Sequence, residues 1–361
     1  MEIVNNKGFF QQELEFGKAL SDKVKEQFYN EFAALLDSGI DMRRTLQLII
    51  DEQDKKRPKS ILESMLEKII AGSSLSEAME YSNHFTPYEY QSVRIGEETG
   101  RLKQVLQSLS VFFGDKVKLR RQLTGVFTYP VFVFLITIGV LYFMLNHVVP
   151  MFEDVFKQFG QELPWLTQQI VWLSEHFSTF LIYFIGFVVL SSIYFYSQRE
   201  SVWFRKTSSS IILRLPIFGV FIKKIYTARF CQSMALLMEA KTPLVRALDL
   251  VQNMIRFYPM ELMIEGAKKE ILQGNSLHAG LEKHQLLDKR LISLVRIAEE
   301  INQLDSTFVR VSKQYQEEIE YRTKLIGTIL EPAIIVIIGL VVGVIMVSMY
   351  LPMFNLSNVI K

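Results

Sequence analysis

The sequence of 361 residues contains a single cysteine, Cys231. One thiol can form neither an internal disulfide nor a cysteine-based metal site within the chain. The histidines also lack the spacing of metal ligands: His84, His147, His176, His278 and His284. We therefore expect no metal, and we interpret Cys231 as a small buried hydrophobic residue.

Motifs of the common enzyme classes are absent as well. There is no glycine-rich phosphate loop, so we expect no nucleotide hydrolysis by this chain. There is no metalloprotease or serine-nucleophile motif, and we predict neither a catalytic residue nor a cofactor. The net charge of +2 gives no reason to expect nucleic acid as a partner. Met1–Lys7 has no basic stretch leading into an apolar core, so we expect no cleaved signal peptide.

The apolar residues, 49% of the chain, gather into three long runs. Val126–Leu145 and Phe177–Tyr196 contain no charged residue, and Leu325–Leu351 contains only Glu331. A helix of about 20 apolar residues is long enough to cross the hydrocarbon core of a membrane. We therefore predict three transmembrane helices, over residues 126–148, 177–196 and 325–351.

Lysine and arginine indicate on which side of the membrane each loop lies, because they accumulate in short cytoplasmic segments. Basic residues precede the first and third predicted spans: Lys116, Lys118, Arg120, Arg121, Arg322 and Lys324. Residues 149–176 contain one basic residue, Lys157, and four acidic ones. We expect residues 1–125 and 197–324 in the cytoplasm, and the loop 149–176 and the tail 352–361 outside.

The chain contains an internal repeat. Segments that lie 202 positions apart match: Gly72–Leu75 with Gly274–Leu277, Arg94–Glu98 with Arg296–Glu300, Pro130 with Pro332, and Pro150–Phe152 with Pro352–Phe354. Ala34–Leu36 matches Ala235–Leu237 at 201 positions, which predicts a one-residue insertion near residues 241–243. Both copies enter the membrane from the same side, so the repeats are parallel, unlike the inverted repeats of many transporters.

Each copy carries a domain with helical patterning. Apolar residues recur at helical spacing, as at Phe28, Phe32 and Leu35. Ser74 and Glu77 have the spacing of a capping box, and Gly39 suits a left-handed helix end. The predicted fold class is an all-α membrane protein with two homologous cytoplasmic helical-bundle domains and three transmembrane helices.

The two domains differ in charge. Residues 1–125 hold 18 basic and 19 acidic side chains, whereas residues 197–324 hold 20 basic and 14 acidic ones. Positive-inside bias near the spans explains the excess. A basic face for an acidic cytoplasmic partner is the alternative explanation.

Paired glutamates occur at the same place in both copies: Glu97, Glu98, Glu299 and Glu300. Paired carboxylates can act as acid and base, but no nucleophile or metal accompanies them here. We interpret them as ion pairs and helix caps within the bundle, with contact to a partner such as an ATPase as the alternative.

Glu331 and Pro332 lie early in the third predicted span. A carboxylate at that depth costs free energy unless it is paired or protonated, so it is a functional candidate. Tyr129 and Pro130 occupy the equivalent place in the first copy, without a charge. A shallow position of Glu331 near the membrane surface, above Arg322 and Lys324, is the alternative.

Together these segments resemble the F-type inner-membrane platform proteins of type II secretion, type IV pili and Gram-positive competence pili. The signature around the first span is carried by Gln122, Leu123, Val126, Tyr129, Pro130, Thr137, Met144, Val148, Val149 and Pro150. Further landmarks are Pro150–Phe156, Leu163–Thr167, Leu215–Gly219, Arg229–Phe230, Glu331–Pro332, Gly339, Gly343 and Leu351–Phe354. Phe127 departs from the signature, and Ala298 and Asn302 replace two glycines in the second copy.

The resemblance implies a non-enzymatic platform in the bacterial inner membrane. The implied partners are a cytoplasmic assembly ATPase, pilin or pseudopilin subunits, other inner-membrane assembly proteins and a second copy of the chain. We hypothesise that ATPase motion reaches the first and third spans through the basic segments Lys116–Arg121 and Arg322–Lys324. A small transporter and a membrane-anchored sensor remain as alternatives.

Overall fold

The computed structural model describes residues 20–151, 154, 165–198, 201–216, 218–255, 257–284 and 286–359. Within these ranges the chain is helical and contains no strand, which confirms the predicted fold class. The chain divides into two compact units. The head unit comprises the residues up to Arg120 together with Lys206–Ile319, and the span unit comprises Arg121–Arg205 and the residues from Glu320 on.

The first repeat of the head unit contains five short helices and the start of a long one. They are α1 (Asp22–Asp37), α2 (Met42–Asp51), α3 (Lys56–Ile70), α4 (Leu75–Ser82), α5 (Pro87–Glu98) and α6 (Leu102–Phe143). Side-chain caps fix where several of them begin, because the first N–H groups of a helix have no partner inside it. Ser74 and Glu77 form the predicted capping box of α4, and Thr86 and Glu89 form another at α5.

The second repeat contains the same six elements. The chain reaches it through α7 (Trp165–Gln198) and α8 (Val202–Arg214). Its helices are α9 (Phe218–Glu239), α10 (Leu244–Met254), α11 (Tyr258–Leu272), α12 (Leu277–Glu282), α13 (Lys289–Glu300) and α14 (Leu304–Val359). Helices α3 to α6 and α11 to α14 begin 202 positions apart.

The turns follow the same spacing. Left-handed backbone occurs at three equivalent pairs: Gly39 with Lys241, Gly72 with Gly274, and Gly100 with Asn302. Helices α1 and α9 end at Asp37 and Glu239, also 202 positions apart. The predicted insertion near residues 241–243 was therefore wrong. The Ala-Leu-Leu match at 201 positions was a coincidence of short apolar sequence.

The loss of the glycines in the second copy does not remove the turn after α13. Asn302 has a φ of 55°, close to the 69° of Gly100. Asparagine tolerates this left-handed conformation better than other residues that carry a Cβ. The interior position of the other lost glycine, Gly96, is taken by Ala298, which is almost fully buried.

Aromatic side chains fill the core of the first repeat. Phe28, Tyr29 and Phe32 on α1 are almost fully buried, and Tyr29 stacks on Phe113 of α6. In the second repeat Phe230 of α9 packs edge-on against Phe308 of α14. Cys231 has no exposed surface, which confirms its interpretation as a core residue, and burial raises the pKa of its thiol.

The first core also holds a buried ion pair. Lys25 Nζ lies 2.5 Å from Glu89 Oε2, and both side chains are almost completely shielded from solvent. Tyr29 Oη donates to Glu89 Oε1 at 2.8 Å, and Thr86 Oγ1 donates to Glu89 Oε2 at 2.7 Å. Burial and the nearby carboxylate raise the pKa of Tyr29, so its hydroxyl stays protonated and donates. This network joins α1 to the start of α5.

Within the described residues, three helices are long and apolar enough to cross a membrane: Leu102–Met151, Thr167–Phe195 and Leu304–Ser348. Helix α6 passes through Pro130 and continues into a π-helical turn at Met144–Val148. Helix α14 runs without interruption past Pro332 to Val359. The predictions for Met1–Lys7, for Lys157 and for most of the loop that contains it lie outside the described residues.

Polar contacts pack α7 within the span unit. Ser174 Oγ donates to the carbonyl of Leu145 in the π-helical turn. Thr167 Oγ1 donates to the Ser348 carbonyl of α14 at 2.6 Å. These contacts lie in the first turns of α7, which begins before the predicted span start at Phe177.

We predict that Glu89→Ala destabilises the chain by about 3–5 kcal/mol, because Lys25 would remain buried without its partner. The measurement is the midpoint of chemical unfolding of the full chain in detergent. Glu80→Ala breaks the exposed pair with Arg94 and is the matched control, with a cost of about 1 kcal/mol or less. Equal midpoints for the two variants would contradict the prediction.

Candidate functional site

The first glutamate of the first pair caps a helix. Glu97 Oε1 accepts a hydrogen bond from the Leu75 N–H at 2.7 Å, and Glu97 Oε2 accepts one from Ser76 Oγ at 2.6 Å. Leu75 and Ser76 begin α4, where unpaired N–H groups and the positive end of the helix dipole favour a carboxylate. Glu97 thereby joins the end of α5 to the start of α4.

Glu299 has the same role in the second repeat. Its Oε1 accepts from the Leu277 N–H at 2.6 Å at the start of α12. Its Oε2 lies 2.8 Å from His278 Nδ1, where Glu97 meets a serine hydroxyl instead. The cap thus keeps its carboxylate in both repeats, while its side-chain donor differs.

The second glutamate of each pair has a different environment. Glu98 and Glu300 are exposed at the ends of α5 and α13. Glu98 lines a small cleft with Arg94, Lys241 and Arg246, so it faces basic side chains of the other repeat. The paired glutamates therefore divide into an internal cap and an exposed carboxylate.

The basic segment before the first span is partly tied to the head unit. Lys116 Nζ donates to Asp22 Oδ1 at 2.8 Å, which joins α6 to α1. In the second repeat Lys224 Nζ donates to Glu318 Oε2 at 2.6 Å. Lys224 and Glu318 lie 202 positions after Asp22 and Lys116, so the same pair recurs with its charges exchanged.

The other predicted basic residues lie in the interior of α6 and α14, about four to five turns after each helix begins. Arg121 and Lys324 are exposed. Lys118, Arg120 and Arg322 each take part in a further interaction within the described residues. The sequence alone does not separate the exposed basic residues from those that interact within the chain. All six of the predicted residues are simply lysines or arginines near a span.

The membrane candidates lie on helices of the span unit. Tyr129, Glu331 and Pro332 are exposed on its surface, and Pro130 is half-buried. Thr328 Oγ1, one turn before Pro332, donates to the Lys324 carbonyl at 3.1 Å. A carboxylate on an outward surface in a membrane needs a proton or a partner from another molecule.

Sequence reasoning missed a polar cleft of about 500 Å³ between the two repeats of the head unit. Asp115 Oδ2 accepts amide hydrogen bonds from Gln232 at 2.7 Å and from Gln316 at 2.5 Å. At the other end Arg101 Nη1 donates to the Glu239 carbonyl at 2.7 Å. These partners are more than 100 positions apart in the chain, so no local pattern marks them.

Charges at the cleft influence one another. Burial raises the pKa of Glu239, and the nearby Asp305 raises it further. The N–H of Ser306 and the Lys241 ammonium lower the pKa of Asp305. Among the described residues no group of histidine, cysteine, aspartate or glutamate side chains is arranged to hold a metal ion.

Comparison with known proteins gives one family. The family model described as "Type II secretion system (T2SS), protein F" matches residues 28–150 and 230–352, which are again 202 positions apart. These two matches together cover more than half of the chain and include both repeats.

Curated relatives match along almost the whole chain. The type IV pilus assembly protein PilC of Thermus thermophilus is 29% identical over 96% of this chain and 86% of its own length. The Pseudomonas aeruginosa protein of the same name is 28% identical over 95% of this chain and 92% of its own length. The type II secretion system protein F of Aeromonas hydrophila is 24% identical, over 92% and 86% respectively.

We predict that Glu97→Ala and Glu299→Ala expose the first turns of α4 and α12, because each loses a capping carboxylate, at a cost of about 1 kcal/mol. Hydrogen exchange of the full chain, read at Leu75 and Leu277, should speed up in the corresponding variant. Glu98→Ala and Glu300→Ala are matched controls that leave both turns protected. Unchanged protection in all four variants would contradict the capping role.

Proposed function

The chain belongs to the type II secretion system protein F family, and on that premise we propose that it is the inner-membrane platform of a type IV pilus or type II secretion machine. The observation that carries the proposal is the double family match, in which each repeat leads into a membrane-spanning helix. Relatives named for both machines match over more than nine-tenths of the chain. In this role the chain catalyses no reaction and acts by contact.

The proposed topology follows from the basic residues near the spans. Residues 1–125 and 197–324 lie in the cytoplasm, and residues 149–176 and 352–361 lie outside. Both head repeats then face the compartment that contains ATP. A hexameric assembly ATPase can contact them there, while pilin-like subunits approach the spans in the bilayer.

Helix continuity supports the proposed coupling. Helices α6 and α14 each begin in the head unit and end in the span unit, with 42 and 56 residues. A continuous helix is a stiff rod of about 1.5 Å per residue. The pairs Asp22–Lys116 and Lys224–Glu318 tie each rod to the first helix of its repeat. In this proposal the motor moves a repeat, and these ion pairs transmit the movement to the part of the long helix that lies in that repeat.

In this proposal Glu331 contacts a filament subunit within the bilayer. Its exposed carboxylate would accept hydrogen bonds or a positive charge from a filament subunit before that subunit leaves the membrane. Tyr129, at the equivalent surface of the first span, offers a hydroxyl. The transporter and sensor alternatives are not favoured, because the relatives are named for pilus assembly and secretion.

We predict that the full chain in nanodiscs binds the assembly ATPase from the same organism with a salt-sensitive affinity. The excess of basic residues in 197–324 is the physical reason, since it attracts an acidic partner surface. Binding should weaken markedly between about 0.05 M and about 0.5 M salt. No binding at micromolar concentration in low salt would count against direct contact with the motor.

We further predict that Arg121→Glu combined with Lys324→Glu lowers filament assembly in cells. Both residues are exposed where the rods leave the head unit, so the change alters coupling rather than packing. Lys56→Glu, an exposed lysine at the start of α3, is the control for one charge reversal.

The same cells should be assayed for membrane insertion and for the side on which each terminus lies. Normal topology with reduced assembly supports the coupling role. Normal assembly in the double variant would show that these basic segments do not carry motor movement.

A further inference from the structure

The positive charge of the second head repeat is concentrated in one segment. Residues 201–231 contain six basic side chains and no acidic one. Residues 197–324 hold 20 basic and 14 acidic side chains in all, so the remainder of that range contains 14 of each. The whole excess therefore lies on α8 and the first part of α9, directly after the membrane-length helix α7.

The basic residues of α9 interact within their own repeat. Lys223 and Lys224 form ion pairs with acidic side chains there, and the Arg229 guanidinium lies over a tyrosine ring. On α8, by contrast, Lys206 and Arg214 are exposed. These two side chains can therefore offer their charge to a partner outside the chain.

Lys206 and Arg214 lie on one side of α8. They are eight positions apart with Ser210 midway, so the three side chains share a face of the helix, and all three are exposed. Ile212, on the opposite side, is half-buried. Ile211 neighbours Arg214 on the helix surface and is 58% exposed. The outer face of α8 thus combines two cations with an apolar side chain.

The corner between α8 and α9 is tight. Gly219 is buried, its N–H donates to the Leu215 carbonyl at 2.8 Å, and a Cβ at this position would lie 2.5 Å from the Leu213 carbonyl oxygen. Glycine therefore allows α9 to start directly against the last turn of α8. Beside it in the chain, Leu215, Phe218 and Val220 are 46%, 49% and 44% exposed.

We call Ile211, Leu215, Phe218 and Val220 the corner patch. Elsewhere in the described part of the head unit, no stretch of ten residues contains more than two exposed large apolar side chains. Single exposed apolar residues are common on protein surfaces, whereas a group of them marks an interaction site. Leu215 and Gly219 also belong to a landmark of the family resemblance, to which the proposed function gives no role.

We propose that the corner patch and the outer face of α8 bind the lipid surface of the membrane on its cytoplasmic side. Lys206 and Arg214 then lie at anionic headgroups, and the apolar side chains enter the boundary between headgroups and acyl chains. A helix that lies on a membrane needs both components, basic side chains for the headgroups and apolar ones for the layer below. An acidic protein surface would satisfy the charges and leave the apolar side chains uncovered.

The position of α8 in the chain favours lipid as the occupant. Helix α7 ends at Gln198 and α8 begins at Val202, so three residues separate a membrane-length helix from the helix that carries the basic face. A helix of 13 residues is about 20 Å long, so the chain path keeps the corner close to the membrane. Basic residues immediately beyond the cytoplasmic end of a span are attracted by anionic lipid.

The contact is additional to the spans, because it is made by a part of the head unit. It requires a bilayer and neither a motor nor a filament subunit, so it goes beyond the proposed function. It takes from that proposal the side of the membrane on which residues 197–324 lie.

The test is fluorescence of the full chain, one copy per nanodisc, with an environment-sensitive label on a single introduced cysteine. Ile211→Cys and Phe218→Cys place the label in the corner patch. Leu272→Cys, at a residue of the same repeat that is 72% exposed on α11, is the matched control. Cys231 is buried, and the unaltered chain gives the labelling background.

In nanodiscs that contain phosphatidylglycerol, we expect blue-shifted emission at both patch positions. Brominated lipid should quench this emission, and iodide in the water should not. The label at position 272 should show the reverse, with emission typical of water, quenching by iodide and none by brominated lipid.

Two results would overturn the proposal. Patch labels that behave like the label at position 272 would mean that the corner patch faces water. Patch labels shielded from iodide but not quenched by brominated lipid would mean that protein covers the corner patch.

Charge reversal tests the basic face separately. Lys206→Glu combined with Arg214→Glu should lower the quenching by brominated lipid about two-fold in phosphatidylglycerol nanodiscs, because anionic headgroups then repel α8. In nanodiscs of phosphatidylcholine, which has no net charge, the same change should have little effect. Lys289→Glu with Arg290→Glu, two exposed basic residues at the start of α13, is the matched control. Quenching as strong in the Lys206/Arg214 variant as without it would exclude these two residues as headgroup ligands.

These results are separable from the proposed function. Absence of the lipid contact with normal ATPase binding would remove this surface and leave the platform role in place. A normal lipid contact without ATPase binding would do the reverse.

Discussion

Each repeat ends in a helix that is also a membrane span, so the base of that helix must be fixed to the repeat that it leaves. In each copy an ion pair between the first helix and the long one contributes to this, beside the aromatic packing of the same two helices. The residues are Asp22 and Lys116 in the first repeat and Lys224 and Glu318 in the second. Partly exposed pairs of this kind contribute about 1 kcal/mol or less. The pair is retained with its charges exchanged, so we infer that its role is to set the alignment of the first helix along the long helix. Either order of the charges sets the same alignment.

The interiors of the two repeats use different chemistry around this shared frame. The buried network of Lys25, Tyr29 and Glu89 is replaced, 202 positions later, by Thr227, Cys231 and Leu291, all buried. The three positions change together. A buried charge without its partner costs several kcal/mol, whereas a complete ion pair and a well-packed apolar set have similar free energies. The second repeat instead places a polar contact at the core edge, where Tyr315 Oη donates to Asp288 at 3.1 Å.

Much of the fold could be predicted from sequence because its signals are local or periodic. Long apolar runs predicted the three membrane-length helices, and the spacing of Ser74 and Glu77 predicted the cap of α4. The insertion near residues 241–243 failed because a three-residue apolar match carries little information. The cleft around Asp115 could not be found, since its partners Gln232 and Gln316 are distant in the chain. The charge exchange between Asp22–Lys116 and Lys224–Glu318 was visible in the sequence once a single spacing of 202 was applied.

The duplication also explains why the exposed glutamates differ from the capping ones. Glu97 and Glu299 have the same contacts in both repeats, because each must cap a helix of its own repeat. Glu98 faces the other repeat of its own chain, whereas the equivalent surface at Glu300 is open. Contacts within a repeat are thus retained in both copies, whereas contacts between the repeats exist only once.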